Sequence, residues 1–119
     1  LAIVRTLLLH YAGMAPTPSA MINSFSAYLE IDLAEPTLRR YVVQSTRRNL
    51  ALIAELLSEA DAEETIACPE PEATARVLLA VATGSLLSWA TFRQGTASVW
   101  LAQDLDAALA PMVLRKRKK

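Results

Sequence analysis

Apolar residues recur at three- and four-residue spacing along most of the 119-residue chain, which is the spacing of α-helices. The sixteen residues between Arg76 and Arg93 are all uncharged and read most simply as part of one helix. Within that helix Ala80, Gly84 and Ser88 recur at every fourth position. Three small side chains therefore share one face, where another helix can approach closely.

Prolines and capping residues divide the chain into five predicted helices and leave no strong strand signal. Thr17 is placed to cap the second helix, and Thr96 or Ser98 to cap the fifth. Gly95 is placed to end the fourth helix as a left-handed cap. We therefore predict an all-α fold, an antiparallel bundle of about five helices. The predicted helices cover about residues 1–13, 19–32, 36–60, 71–93 and 99–113.

Composition supports packed helices in a single domain. Hydrophobic residues make up 53% of the chain and aromatic residues 6%, which argues against disorder. Five of the twelve basic residues lie at 115–119, so the remaining 114 residues carry seven positive and twelve negative charges, a net −5. We predict one domain at 1–114 and a solvated basic tail at 115–119, with binding of an acidic partner as the tail's alternative role. The domain has no basic patch that could follow a phosphate backbone.

The single cysteine and the uncharged run bear on the compartment. One cysteine, Cys68, cannot form an internal disulfide and is typical of a reducing compartment, so we predict a cytoplasmic protein. The sixteen-residue uncharged run is shorter than the roughly 20 residues that span a bilayer. We predict a buried helix of a soluble domain, with no membrane contact.

Two segments of the chain carry a family resemblance. Residues 47–57 read RRNLALIAELL and precede an acidic loop, and residues 75–87 read ARVLLAVATGSLL with a mid-helix glycine. Together with the final amphipathic helix they resemble the C-terminal ligand-binding and dimerisation domain of the tetracycline-repressor (TetR/AcrR) family. The resemblance is best from about residue 36 to residue 113.

The resemblance implies a homodimer in which the last two helices of each copy form a four-helix bundle across a two-fold axis. The physical case is independent: a mid-helix glycine costs about 0.5–1 kcal/mol relative to alanine, so Gly84 needs a packing reason. A two-fold interface also requires a self-complementary face. The alternative is that this face packs on another helix of its own chain. The predicted interface consists of Val77, Ala80, Val81, Gly84, Ser88, Leu101, Leu105, Ala108 and Met112.

A ligand pocket is predicted from amphipathic aromatic, methionine and mid-helix polar side chains. Small-molecule sites are mostly apolar with a few orienting polar groups, so the expected effector is small and largely apolar. The alternative is an ordinary core with polar side chains turned to solvent. The predicted ligand-binding residues are Tyr11, Met14, Met21, Phe25, Tyr28, Tyr41, Ser45, Asn49, Trp89 and Phe92.

The resemblance implies the effector-binding half of a transcriptional repressor, whose DNA binding is released or altered when the effector binds. The family reads DNA through an N-terminal helix-turn-helix domain, which we do not find in these residues. We therefore expect DNA contact only through a domain outside them. The alternative is a helical oligomerisation module without a ligand. No pattern ties His10 or Cys68 to a catalytic partner, so we expect no enzyme activity, metal or cofactor.

Overall fold

The described part of the chain forms five α-helices, which confirms the predicted all-α class. The computed structural model describes residues 2–14 and 17–114, without the side chains of residues 14 and 31–34. The predicted basic tail at 115–119 therefore lies outside the described residues. Short 3-10 segments follow α1 (His10–Met14) and α5 (Ala110–Met112). The helices are α1 (Ala2–Leu9), α2 (Pro18–Ala34), α3 (Pro36–Ala62), α4 (Pro71–Phe92) and α5 (Ala97–Leu109).

Local sequence explains most of the helix ends. The Thr17 hydroxyl accepts a hydrogen bond from the Ala20 N–H at 3.1 Å, and the Thr96 hydroxyl accepts one from the Val99 N–H at 3.3 Å. Prolines begin α3 and α4, where the missing N–H costs nothing. The end of α4 differs from the prediction: Arg93, with φ 57°, is the left-handed cap. Gly95 is also left-handed, but it lies two residues farther on, in the turn to α5.

Helix α4 is the centre of the bundle, because it contacts each of the other four helices. Its inward side contributes Leu78, Ala82, Leu86 and Trp89 to the core. The other helices add mainly leucine and isoleucine side chains that are almost completely buried. These include Leu8, Ile53, Leu57, Leu101 and Leu105.

Polar contacts join the helices around this core. The Arg5 guanidinium donates two hydrogen bonds, of 2.7 and 3.2 Å, to the Asp106 carboxylate and so links α1 to α5. The hydrogen bond from Arg5 lowers the pKa of the Asp106 carboxyl below its usual range. The Ser85 hydroxyl donates to the Asp104 carboxylate at 2.6 Å and links α4 to α5.

The acidic loop between α3 and α4 holds the end of α5. Ile66 is buried in this loop and forms an isolated antiparallel bridge with Val113. The Ala67 N–H donates to the Met112 carbonyl at 2.8 Å. Within this acidic loop Ile66 and Cys68 are part of the core, while the carboxylate residues are exposed.

The placement of α3 in the bundle can be tested with two leucines that differ in burial. Leu57 is 0% exposed and Leu52 is 44% exposed. We expect Leu57→Ala to lower the free energy of unfolding by about 2–5 kcal/mol, because it leaves a cavity in the core. Leu52→Ala removes the same atoms from a half-solvated position and should cost less than about 1 kcal/mol. Urea denaturation followed by circular dichroism measures both, and equal losses would contradict the placement of α3.

Candidate functional site

From Val77 to Phe92 the side of α4 that faces away from the core carries no charged residue, whereas Glu72 and Arg76 are exposed nearer the start of the helix. We call Ala73, Val77, Ala80, Gly84, Leu87 and Thr91 the outer face of α4; all are exposed in the single chain. Val77 is 59% exposed and Leu87 is 47% exposed. A helix on a protein surface usually carries charged residues on its solvent side. The composition of this face is instead typical of a helix side that packs against another protein surface.

Gly84 has no packing role within its own chain. A Cβ atom added at this position would meet no heavy atom within 4 Å. Its φ is not positive, so the backbone does not require glycine either. The usual helical cost of glycine, about 0.5–1 kcal/mol relative to alanine, is therefore not offset by any contact in the single chain.

The predicted dimer residues fall into two groups. On α4, Val77, Ala80, Gly84 and Ser88 are exposed, and Val81 is half-buried.

On α5 the outcome differs, since Leu101 and Leu105 are 0% exposed inside the chain's own core. They pack in that core because α5 turns its apolar side toward the bundle. Ala108 and Met112 are half-buried and pack against that core. The sequence reasoning missed Leu87, which belongs to the exposed face because it lies three residues after Gly84.

Two of the predicted ligand-binding residues contact each other. The Asn49 side-chain amide on α3 donates a hydrogen bond of 3.0 Å to the Tyr11 hydroxyl, and the pair is half-buried. This bond joins α3 to the 3-10 segment after α1. Met21 is buried on α2, and Phe25 on the same helix is half-buried against the core.

The other predicted ligand-binding residues lie elsewhere. Tyr28, Tyr41 and Ser45 are exposed on α2 and the first half of α3. Trp89 is buried, and its indole N–H donates to the Gly95 carbonyl at 3.1 Å. Phe92 is 62% exposed and stacks on Trp100 with ring centroids 5.5 Å apart. The Met14 side chain is outside the described part of the structure.

An open groove runs between α3 and α4, and none of the ten predicted ligand-binding residues lines it. The deeper part has a volume of ≈ 490 Å³. Its walls combine apolar and charged side chains, and past Leu50 and Arg76 they continue into a second part of ≈ 430 Å³ that reaches Ala80 on the outer face. We call both parts together the α3–α4 groove. Its main lining residues are Arg47, Leu50, Ala51, Ala54, Glu55, Pro71, Glu72 and Arg76.

His10 and Cys68, the side chains considered for catalysis, lie in different parts of the fold. His10 is exposed at the end of α1. Cys68 is buried, and its backbone N–H donates to the Asp61 carboxylate at 2.9 Å. Within residues 2–14 and 17–114 no group of three or more His, Cys, Asp or Glu side chains is arranged to hold a metal ion.

Helix α4 is longer than the uncharged run that predicts it, because it begins at Pro71 and includes Glu72 and Arg76. With 22 residues and a mean hydropathy of 1.4 over its most apolar window, it meets the length and composition of a membrane span. Core helices of compact domains meet the same criteria, and 39% of that window is buried inside the bundle.

Comparison with known proteins returned no matching family model, no matching curated protein and no matching solved structure. The class that the structure defines is therefore an all-α helical bundle with an exposed, uncharged face on its central helix. The resemblance to the TetR/AcrR family stays a prediction.

The Tyr11–Asn49 hydrogen bond can be tested with a matched pair of tyrosine substitutions. Tyr11→Phe removes the acceptor of the half-buried Asn49 amide, and we expect a loss of about 0.5–1.5 kcal/mol in the free energy of unfolding. Tyr28→Phe removes a hydroxyl from an exposed ring and should change stability by less than about 0.5 kcal/mol. Thermal unfolding of both variants is the measurement. An equal effect of the two would mean that the bond between α3 and the 3-10 segment does not form.

Proposed function

We propose that this chain is the homodimerising, effector-binding half of a TetR-like transcriptional repressor, and that two copies pair through the outer face of α4. The observation that supports the dimer is the exposed, mid-helix position of Gly84, where an added Cβ would meet no heavy atom within 4 Å among the described residues. In a dimer the absence of a side chain there allows the backbones of two helices to approach closely. The unfavourable helix propensity of glycine then has a structural reason.

The neighbours of Gly84 supply the driving force for pairing. Val77 and Leu87 are large apolar side chains held in water by the single chain. Removal of apolar surface from water contributes about 25 cal/mol per Å² before the cost of association is subtracted, and no charged residue lies on α4 between Val77 and Phe92. The same patch on both copies meets the requirement of a two-fold interface.

The α5 leucines have a different role in this proposal from the one predicted. Leu101 and Leu105 fill the core of their own chain. Helix α5 therefore packs against α4 within the same chain. The exposed side of α5 includes Gln103 and Asp106, which are less suited to an apolar interface. Pairing therefore rests on α4, and α5 contributes at most its edge.

The effector-binding part of the proposal rests on the region around Tyr11 and Asn49. This bond links α3 to the 3-10 segment after α1, and α3 also packs against α1 and α2. Met21 and Phe25 on α2 contribute to the same core. An effector that binds better to one arrangement of α1 than to another would shift the population of α1 positions. In the resembled family such a shift is passed to the DNA-binding domains, so the two sites are coupled.

The second candidate function is a helical oligomerisation module without a ligand. One observation favours it: the described members of the predicted ligand-binding set differ widely in burial, and none of them lines the α3–α4 groove. Tyr28 and Tyr41 are exposed, whereas Trp89 is buried and already hydrogen-bonded. Both functions share the dimer, so they separate only in a ligand experiment.

The dimer is tested at Gly84. We expect Gly84→Leu to convert the dimer to monomers in sedimentation equilibrium, because the new side chain holds the two helices apart. Ala27→Leu, at an exposed position of α2, adds a leucine away from the interface and should keep the dimer mass. Gly84→Ala serves as the milder variant. It should raise the thermal stability of the monomer, by about 0.5–1 kcal/mol, while weakening dimerisation. A dimer of unchanged affinity in both Gly84 variants would contradict the interface.

The effector site is tested by thermal shift with a panel of small apolar aromatic compounds. A compound that binds the folded state alone at 100 times its Kd should stabilise the chain by about 2.7 kcal/mol. We expect a saturable shift that Asn49→Leu reduces at least tenfold in apparent affinity. Gln44→Leu, at an exposed position of the same helix, should leave it unchanged. If no compound gives a saturable shift, the oligomerisation module is the better description.

A further inference from the structure

The α3–α4 groove is lined by four charged side chains, two from each of its helices. Helix α3 contributes Arg47 and Glu55, and α4 contributes Glu72 and Arg76. All four residues are exposed, and none of them forms an ion pair or a side-chain hydrogen bond with another described residue. These charges therefore remain open to a bound molecule, although groups of opposite sign line the same groove.

Helices α3 and α4 run antiparallel along the groove. Ser58, near the end of α3, lines the deeper part together with Pro71 at the start of α4. Leu50, about two turns earlier on α3, reaches the second part, which Thr83 lines from α4. Residue numbers therefore fall along α3 as they rise along α4, and this order fixes where each charged residue lies.

The groove has an acidic end and a basic end. Glu55 and Glu72 lie toward the loop that joins the two helices, and Arg47 and Arg76 lie toward the middle of the helices. The opposite charges are eight residues apart on α3 and four residues apart on α4. At 1.5 Å per residue these separations are about 12 Å and about 6 Å along the groove.

Apolar and small side chains separate the two charged ends. Leu50, Ala51 and Ala54 line the groove between Arg47 and Glu55. Ala54 is 8% exposed and Leu50 is half-buried against the core, so these residues form a closed floor. The deeper part alone has a volume of ≈ 490 Å³, and small-molecule sites usually measure about 300–1,000 Å³. The groove is therefore large enough for a small molecule with an apolar middle.

We propose that the α3–α4 groove binds a linear zwitterion, a molecule with an ammonium group at one end, a carboxylate at the other and an apolar chain between them. The ammonium group donates hydrogen bonds to Glu55 and Glu72. The carboxylate accepts hydrogen bonds from Arg47 and Arg76, and arginine suits a planar carboxylate. An extended chain of eight bonds spans about 9–10 Å, since three backbone bonds span about 3.3–3.6 Å. That length matches the separation of the charged ends.

A ligand with one charge matches only half of the groove. A simple carboxylate places its apolar end beside Glu55 and Glu72, which then lose water without gaining a partner. A simple amine has the same effect on Arg47 and Arg76. The site is separate from the proposed effector region, and it does not rest on the proposed dimer.

Isothermal titration calorimetry at neutral pH and low salt tests the ligand class with three probes of equal chain length. We expect ω-aminooctanoate to bind one to one with a Kd below about 1 mM. Octanoate and octylamine should each bind at least threefold more weakly, because each lacks one of the two charged contacts. Exposed charge pairs are screened by salt, so the affinity for ω-aminooctanoate should fall as salt is added. Equal affinity for octanoate, or no saturable binding of ω-aminooctanoate, would overturn the proposal.

The position of the site is tested with matched charge removals. Arg76→Gln and Glu55→Gln should each raise the Kd of ω-aminooctanoate at least threefold. Arg48→Gln and Glu59→Gln remove exposed charges of α3 that do not line the groove, and they should change the Kd less than twofold. Equal effects of the control and groove variants would show general surface attraction and overturn the site.

Two further comparisons separate this site from a structural effect and from the proposed effector region. Glu55→Gln should weaken binding of ω-aminooctanoate but not of octanoate, whereas a distorted groove would weaken both. Asn49→Leu, which is expected to impair the effector region, should leave the Kd of ω-aminooctanoate unchanged. If Asn49→Leu abolishes binding while Glu55→Gln does not, the zwitterion binds at the effector region and the groove site is overturned.

Discussion

The packing of α4 at the centre of the bundle is the constraint on which the rest of the structure depends. This helix contacts all four others, and its inward side, which includes Leu78 and Leu86, supplies the surface on which they assemble. A helix so placed has one side left over. Since α3 and α5 pack against it, the remaining side is exposed, and from Val77 to Phe92 it carries no charged residue. The proposed dimer interface lies on that remaining side.

Polar contacts join the helices and loops that surround α4. The acidic loop holds the end of α5 through the bridge between Ile66 and Val113, and Ser85 binds Asp104 across the α4–α5 contact. Arg5 ties α1 to the opposite side of α5 through Asp106. A rigid face is useful for association because little side-chain and backbone freedom is lost when it is covered. The first half of α3 and most of α2, by contrast, have few buried side chains.

Much of the fold was predictable because its signals are local. Threonine caps at Thr17 and Thr96, and prolines at the starts of α3 and α4, act within one helical turn, so they mark helix ends before any tertiary contact is known. The end of α4 was harder to predict. The helix ends at Phe92, so the next residue, Arg93, takes the left-handed cap conformation although Gly95 lies two residues farther on. The candidate site was predicted less well, because spacing along one helix shows which residues share a face and not what that face meets.

By itself the sequence determined that the chain is a helical bundle and that small residues line one face of its fourth helix, because helix periodicity and capping are properties of neighbouring residues. Only the tertiary structure decided which apolar residues are used internally. It placed Leu101 and Leu105 in the core and left Val77 and Leu87 outside, although all four have similar hydrophobicity. It also formed the α3–α4 groove from residues of two different helices, of which Ser58 and Pro71 are the nearest in sequence. These outcomes depend on how whole helices pack, and that is a property of the assembled bundle.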